Sequence, residues 1–210
     1  MIAMLAQRFN EGGPFMWVIL GVFSLACAVA IERAVYYYGI CRGGGGKLVT
    51  DVVGLLERGE TSAALARAGR GTSPLHLLVQ VALERVQSGM DVAAIREGVD
   101  EASLLVLPRL GSRLNYLSLF ANVATLLGLL GTIAGLQVSF SSLAAVEAAK
   151  KATMLAQGIS QAMNTTAFGL VVAVPCMVLF TFLSNRQRRL LDELDAAMVR
   201  LLNYLGRRKP

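Results

Sequence analysis

Three long apolar runs, separated by charged segments, dominate the hydrophobic pattern of this 210-residue chain. The first extends from Pro14 to Ile31, the second from about residue 116 to 143, and the third from about 158 to 184. A helix rises about 1.5 Å per residue, so each run is long enough to cross the roughly 30 Å hydrocarbon core of a bilayer. The pattern predicts three transmembrane helices, the first of them at residues 14–32.

The segment between the first two runs, residues 33–115, shows helical periodicity interrupted by glycine and proline. Ser73 before Pro74 and Asp91 before an apolar stretch are typical of helix starts. The tail, residues 185–210, has apolar residues at steps of three or four, which predicts an amphipathic helix: Leu190, Leu194, Met198, Leu201 and Leu205. No strand-like alternation is visible, so the predicted fold class is an all-α integral membrane protein with a helical region outside the bilayer.

Composition supports a membrane protein and argues against an enzyme. Charged residues make up 16% of the chain and hydrophobic residues 55%, with a mean hydropathy of +0.57, whereas about a quarter of a typical soluble domain is charged. The three cysteines are far apart, and together with the single histidine, His76, they provide no spacing typical of a metal site. We expect no catalytic centre, no metal and no cofactor.

The distribution of basic residues predicts the orientation. Ten lysines and arginines lie between the first and second runs, seven follow the third, and three lie on the other side. The positive-inside rule therefore makes residues 33–115 and 185–210 cytoplasmic, and it places residues 1–13 and 144–157 outside. Ala28-Val29-Ala30 resembles a signal-peptide cleavage site, but Arg33 directly afterwards favours a retained helix.

The net charge of +6 does not require a nucleic-acid partner. The basic cluster that begins at Arg186 directly follows the third apolar run, where arginines contact anionic lipid head groups. We therefore expect membrane lipids, and no nucleic acid, as partners.

Small and polar residues recur at steps of three or four along the second and third runs. Small residues let helix backbones approach closely, which predicts packing positions at Gly128, Gly131, Gly135 and Gly169. Hydroxyl and amide groups in a membrane need partners or water. The sequence therefore predicts that the polar members line an ion pathway: Asn122, Thr125, Thr132, Ser139, Gln161, Asn164, Thr165 and Thr166.

Neither of these two runs contains Asp, Glu, Lys, Arg or His. Hydroxyl and amide groups coordinate or relay an ion but do not titrate near neutral pH. If protons cross the membrane here, the titrating group must come from a second protein.

Three sequence motifs resemble the MotA/TolQ/ExbB proton-channel family, in particular its three-span TolQ/ExbB branch. Ile31-Glu32-Arg33 is similar to the motif that ends the family's first span. The run from Leu126 to Gly135 is similar to Leu-Leu-Gly-Leu-Leu-Gly-Thr-Val-x-Gly in the second span. The run from Thr166 to Pro175 is similar to Thr-Ala-x-Gly-Leu-x-x-Ala-Ile-Pro in the third.

The resemblance implies a subunit of an ion-driven motor, a stator, in the bacterial inner membrane. Its copies would form a ring, a pentamer, around an ExbD/TolR-like single-span partner. The partner's membrane aspartate would take up and release the ion beside Thr132 and Thr166, the matching threonines. Proton flow would then drive mechanical work on the cell envelope, as in Tol/Ton-type energy transduction or gliding motility.

The chain departs from the family pattern at two positions. Thr125 stands where proline is common, and Gln161 stands where the TolQ/ExbB branch usually has glutamate. The first change alters the expected bend of the second span, and the second removes an acidic group from the expected ion path.

An alternative function is a purely structural membrane scaffold that organises an envelope complex. In that protein the glycines would pack helices and the threonines would tolerate replacement by valine. A secondary transporter is less favoured, because three spans without an internal repeat leave little room for a substrate site.

Overall fold

A computed structural model describes residues 9, 12–41, 45–143 and 147–207 of the chain. Several expectations fall partly or wholly outside the described residues. They concern most of the N-terminal segment 1–13, the start of the glycine run at 43–46, part of the loop 144–157, and residues 208–210.

The described residues form seven α-helices, one π-helical turn and no strand, which confirms the predicted all-α class. The helical stretches Pro14–Ile40, Val92–Ser142 and Ala149–Arg207 each contain a segment long and apolar enough to cross a bilayer. The elements are α1 (Pro14–Val35), the π-helical turn Tyr36–Ile40, α2 (Gly45–Glu57), α3 (Thr61–Ala68), α4 (Pro74–Gln87), α5 (Val92–Gly111), α6 (Asn115–Ser142) and α7 (Ala148–Arg207).

The chain divides into two compact units, and α1 and α7 contribute to both. The first, which we call the apolar unit, holds α1 as far as Ile31, the whole of α6, and α7 as far as Phe182. The second, which we call the helical unit, holds the end of α1, helices α2 to α5, and α7 from Leu183.

Helix α7 is one uninterrupted helix of 60 residues. The sequence predicted a loop at 144–157, a span at 158–184 and a C-terminal helix at 185–210 over this stretch. Residues 184–186 are polar, but none of them breaks a helix, so the helical backbone continues. The positions at which the chain enters and leaves the membrane remain a prediction.

The amphipathic tail packs within the helical unit. All five residues of the predicted apolar stripe are buried, with Leu201 fully enclosed. The predicted cap at the start of α5 also forms, because the Asp91 carboxylate accepts a hydrogen bond from the Ala94 amide at 2.9 Å.

His76 is an ordinary residue of α4. Its ring nitrogen Nδ1 lies 2.7 Å from the Ser73 hydroxyl. Burial, and secondarily the charge of Arg67, lowers the pKa of His76 below its usual value. Both effects disfavour the protonated ring, so His76 is neutral at physiological pH.

The C-terminal end of α5 is held by side chains from α1 and the π-helical turn. The Tyr37 hydroxyl donates to the Leu110 carbonyl at 2.6 Å, and Arg33 Nη1 donates to the Arg109 carbonyl at 3.3 Å. Arg33 is only 5% exposed and also pairs with Glu32 at 3.1 Å. The last carbonyls of a helix lack partners within it and carry partial negative charge, so these donors stabilise the end of α5.

Replacing Tyr37 with phenylalanine should destabilise the protein by about 1–3 kcal/mol, because it leaves a buried carbonyl without its donor. The thermal unfolding midpoint of the purified protein in detergent measures this effect. Tyr38 provides a matched control, since its side chain is 56% exposed. Tyr38→Phe should leave the midpoint unchanged, and equal midpoints for the two variants would contradict the role assigned to Tyr37.

Candidate functional site

Helices α6 and α7 pack closely and antiparallel within the apolar unit. A Cβ atom added to Gly169 would lie 2.7 Å from the Ala124 carbonyl oxygen, and one added to Gly135 would lie 3.3 Å from the Ala162 Cβ. The contacts on α7 therefore move back along the chain as those on α6 advance. All four predicted packing glycines are buried: Gly128, Gly131, Gly135 and Gly169.

Two threonines lie at the edge of this contact. The Thr166 hydroxyl donates to the Gly128 carbonyl at 3.0 Å and so joins α7 to α6. The Thr132 hydroxyl donates to the Leu129 carbonyl of its own helix at 2.6 Å. Both side chains are partly buried. Because each hydroxyl uses only its hydrogen in these bonds, its oxygen keeps lone pairs for a further donor.

Helix α1 packs on one side of the α6–α7 pair. A Cβ atom on Gly131 would lie 3.5 Å from the Phe15 Cβ, and Ile19 and Ala26 of α1 share a core with Ala124. Successive residues on a helix turn by about 100°. Thr132 therefore lies on the flank of α6 that faces away from α1.

Four of the predicted pathway residues share this flank, which we call the polar flank. At about 100° per residue, Thr166 projects on the same side of α7 as Thr132 does on α6, because the two helices are antiparallel. Asn122 and Thr125 are exposed on α6 toward that side. The polar flank thus comprises Asn122, Thr125, Thr132 and Thr166.

The structure places Thr165 and Gln161 elsewhere, beside the N-terminal turn of the chain. Thr165 is 1% exposed, and its hydroxyl donates to the carbonyls of Gly12 at 2.8 Å and Gln161 at 3.0 Å. The Gln161 side chain lies against Gly13, whose φ of 75° suits glycine. Both side chains thus hold the start of α1 against α7.

The remaining two candidates do not belong to the polar flank, Ser139 because α7 encloses it and Asn164 because it points away. Ser139 is buried, donates to the Gly135 carbonyl at 2.8 Å and packs against Gly158. Asn164 is partly buried and, two residues from Thr166, lies about 200° around α7 from it.

An aromatic cluster that the sequence did not indicate covers the same N-terminal turn. The Phe9 ring makes edge contacts with Trp17 at 5.0 Å and with Phe168 at 5.5 Å between centroids. The sequence shows these aromatics but gives no sign that residues so far apart meet. Likewise the contact of Arg33 with α5 depends on tertiary structure and could not be read from the sequence.

The chemistry of the polar flank is that of neutral hydrogen-bonding groups. Hydroxyl and amide oxygens accept hydrogen bonds from water or from a protonated carboxyl group, whereas hydroxyl O–H and amide N–H groups donate to a carboxylate. Among the described residues, no three His, Cys, Asp or Glu side chains are grouped as metal ligands would be. The flank can therefore solvate a charge-changing group but cannot itself change charge.

Comparison with known proteins gives a consistent result. Residues 71–196 match the MotA/TolQ/ExbB proton channel family. An ExbB-like biopolymer transport protein of Synechocystis sp. is 32% identical over 87% of this chain and 87% of its own length. An ExbB homologue of Methanothermobacter thermautotrophicus is 26% identical over 90% of this chain. The Tol-Pal system protein TolQ of Pseudomonas aeruginosa is 35% identical over 51%.

The chain spans 65% of the Methanothermobacter protein and 48% of the Pseudomonas protein. The matched residues include about half of the helical unit, the whole of α6 and much of α7. The family consists of proton channels rather than enzymes, and its match agrees with the three apolar helices of a multi-pass membrane protein. This chain belongs to the MotA/TolQ/ExbB proton channel family.

Proposed function

We propose that this chain is the ring-forming subunit of an ion-driven motor in the bacterial inner membrane. Copies of the chain, a pentamer, surround the single membrane helix of an ExbD/TolR-like partner whose aspartate carries the proton. Proton flow drives mechanical work on the cell envelope, in Tol/Ton-type energy transduction or gliding. Residues 33–115 and 185–210 face the cytoplasm, in keeping with the basic residues they hold.

The polar flank is the observation that carries this proposal. It places three hydroxyls and one amide on the side of α6 and α7 away from α1, in apolar runs that contain no Asp, Glu, Lys, Arg or His. Lipid gives such groups no hydrogen-bonding partner. A channel wall facing a partner's carboxyl group accounts for all four, whereas a purely structural scaffold accounts only for the glycine contacts and the bond from Thr166 to Gly128.

Proton flux into liposomes tests the proposal. A membrane potential of 100 mV supplies about 2.3 kcal/mol per charge and drives the protons. A pH-sensitive dye inside the vesicles reports the flux. We expect little flux from the chain alone and clear flux when it is reconstituted with an ExbD/TolR-like protein from the same organism. Changing the partner's membrane aspartate to asparagine should abolish it. Full flux from the chain alone would refute the proposed division of labour.

A further inference from the structure

A groove in the helical unit lies between α2 and the last turns of α7. Its volume is about 560 Å³, and fully buried Val49 and partly buried Val53 line it from α2. Arg200 and Arg207 line it from α7, and among the described lining residues Glu57 is the acidic one. The groove therefore joins an apolar floor to a net positive charge, and it can accept a helix that carries acidic and apolar residues.

The exposed face of α5 has that composition. The opposite face of this helix is buried through Ile95, Val99 and Val106. Leu104 and Leu105 are 76% and 69% exposed, although they precede the second apolar run by more than two helical turns. Large aliphatic side chains so exposed outside a membrane span indicate a surface that a protein covers.

Acidic side chains surround these two leucines. Glu97, Asp100 and Glu101 are exposed on the same face of α5, and Arg96 is the basic residue at its edge. Glu101 approaches Arg85 at 3.5 Å but is still 75% exposed. The face therefore carries a net negative charge opposite in sign to that of the groove.

The two surfaces also match in length. From Glu97 to Leu105 the helix rises about 12 Å, and from Arg200 to Arg207 about 10 Å. A helix laid in a groove makes contacts of this kind, with apolar anchors against the floor and charged residues at the rim. The two surfaces share no residue, and α5 is held in its own chain by its other face.

We infer that the acidic face of α5 in one copy docks into the basic groove between α2 and α7 of the neighbouring copy. The inference rests on the ring of the proposed function and adds the contact that builds it. Two different patches of the same chain meet, so the contact is heterologous and repeats from copy to copy until the ring closes.

Disulfide cross-linking tests this contact. In the full chain with Cys27, Cys41 and Cys176 replaced by alanine, Glu97→Cys is combined with Asn203→Cys, a position that lines the groove. Mild oxidation should produce a ladder of covalent oligomers on a non-reducing gel. The matched control combines Glu97→Cys with Asp192→Cys, which is exposed on α7 but does not line the groove, and it should give no ladder.

Charge reversal then tests the electrostatic match. Arg200→Glu with Arg207→Glu should lower the yield of the ladder about tenfold, because like charges now face each other. Reversing the charge on α5 as well, with Asp100→Arg and Glu101→Arg, should restore the yield of the ladder. An unchanged yield in the first variant, or no recovery in the second, would overturn the inference.

The mass of the particle in detergent separates this inference from the proposed function. A ring-sized mass without a Glu97–Asn203 ladder would overturn the docking of α5 and leave the ring in place. A monomeric mass would overturn both. A ladder in the control pair as strong as that in the test pair would also count against the groove.

Discussion

Replacing Gly169 with leucine should prevent the folded protein from accumulating in the membrane. A Cβ atom at this position would lie 2.7 Å from the backbone carbonyl oxygen of Ala124 and 3.1 Å from the Cα of Gly128. Neither atom belongs to a flexible side chain, so only separation of the two helices relieves the clash. Because α6 and α7 contact each other through small residues from Ala124 to Ser139 and from Gly158 to Gly169, that separation costs many contacts at once.

Gly169→Ala should destabilise the protein for the same reason, but by a smaller amount that can be measured. Overpacking of a close contact costs about 1–3 kcal/mol, so Gly169→Ala should lower the thermal unfolding midpoint in detergent. Gly21 is a matched control on α1, since no atom lies within 4 Å of an added Cβ there. Gly21→Ala should keep or raise the midpoint, because alanine favours helix over glycine. Equal unfolding temperatures for the two variants would show that the close helix contact at Gly169 does not restrict the size of the side chain there.

Changing both Thr132 and Thr166 to valine should reduce the proton flux of the reconstituted complex at least tenfold. Under the proposed function these hydroxyls turn their hydrogens from the Leu129 and Gly128 carbonyls to the partner's carboxylate, and a hydrogen bond to a charged group contributes about 1.5–3 kcal/mol. A change of about 1.4 kcal/mol in a barrier alters a rate tenfold. Valine has the shape of threonine but cannot donate or accept.

The same double variant should fold normally. It loses the bond from Thr166 to the Gly128 carbonyl, and hydrogen bonds between membrane helices contribute about 0.6 kcal/mol on average. Serine at both positions restores the hydroxyls and should restore flux. Thr181→Val is the control, since its hydroxyl donates to the Met177 carbonyl at 2.9 Å on an exposed part of α7. Full flux in the Thr132/Thr166 valine variant would remove these residues from the pathway.

The helices were predictable from the sequence because each depends on local information. Apolar length gives the three long helices, and Asp91 gives the start of α5. The continuity of α7 was not predicted, because the sequence shows only where polarity changes along it. Such a change alters what surrounds the side chains, but it does not end a helix. Nothing near residue 185 disrupts hydrogen bonding along the helix.

The candidate site was only partly predictable for a different reason. A step of three or four residues selects a broad band of a helix, about 100° wide, and that band contains both the packing face and its edges. Ser139 and Thr132 fit the same periodicity, yet Ser139 is buried against Gly158 and Thr132 lies on the polar flank. The packing of α7 separates them, because the Gly158 backbone covers Ser139, and that packing depends on tertiary contacts that the sequence does not show.

Thr125 has a consequence for hydration along α6. Its hydroxyl returns to the Ala121 carbonyl at 3.1 Å, whereas a proline there would deprive that carbonyl of its amide donor. A water molecule at this level would therefore meet an Ala121 carbonyl oxygen that already accepts a hydrogen bond from a side chain. Under the proposed function, water at this level of the passage would bond to the lone pairs of the Thr125 hydroxyl, whereas with proline at this position it would bond to the bare carbonyl.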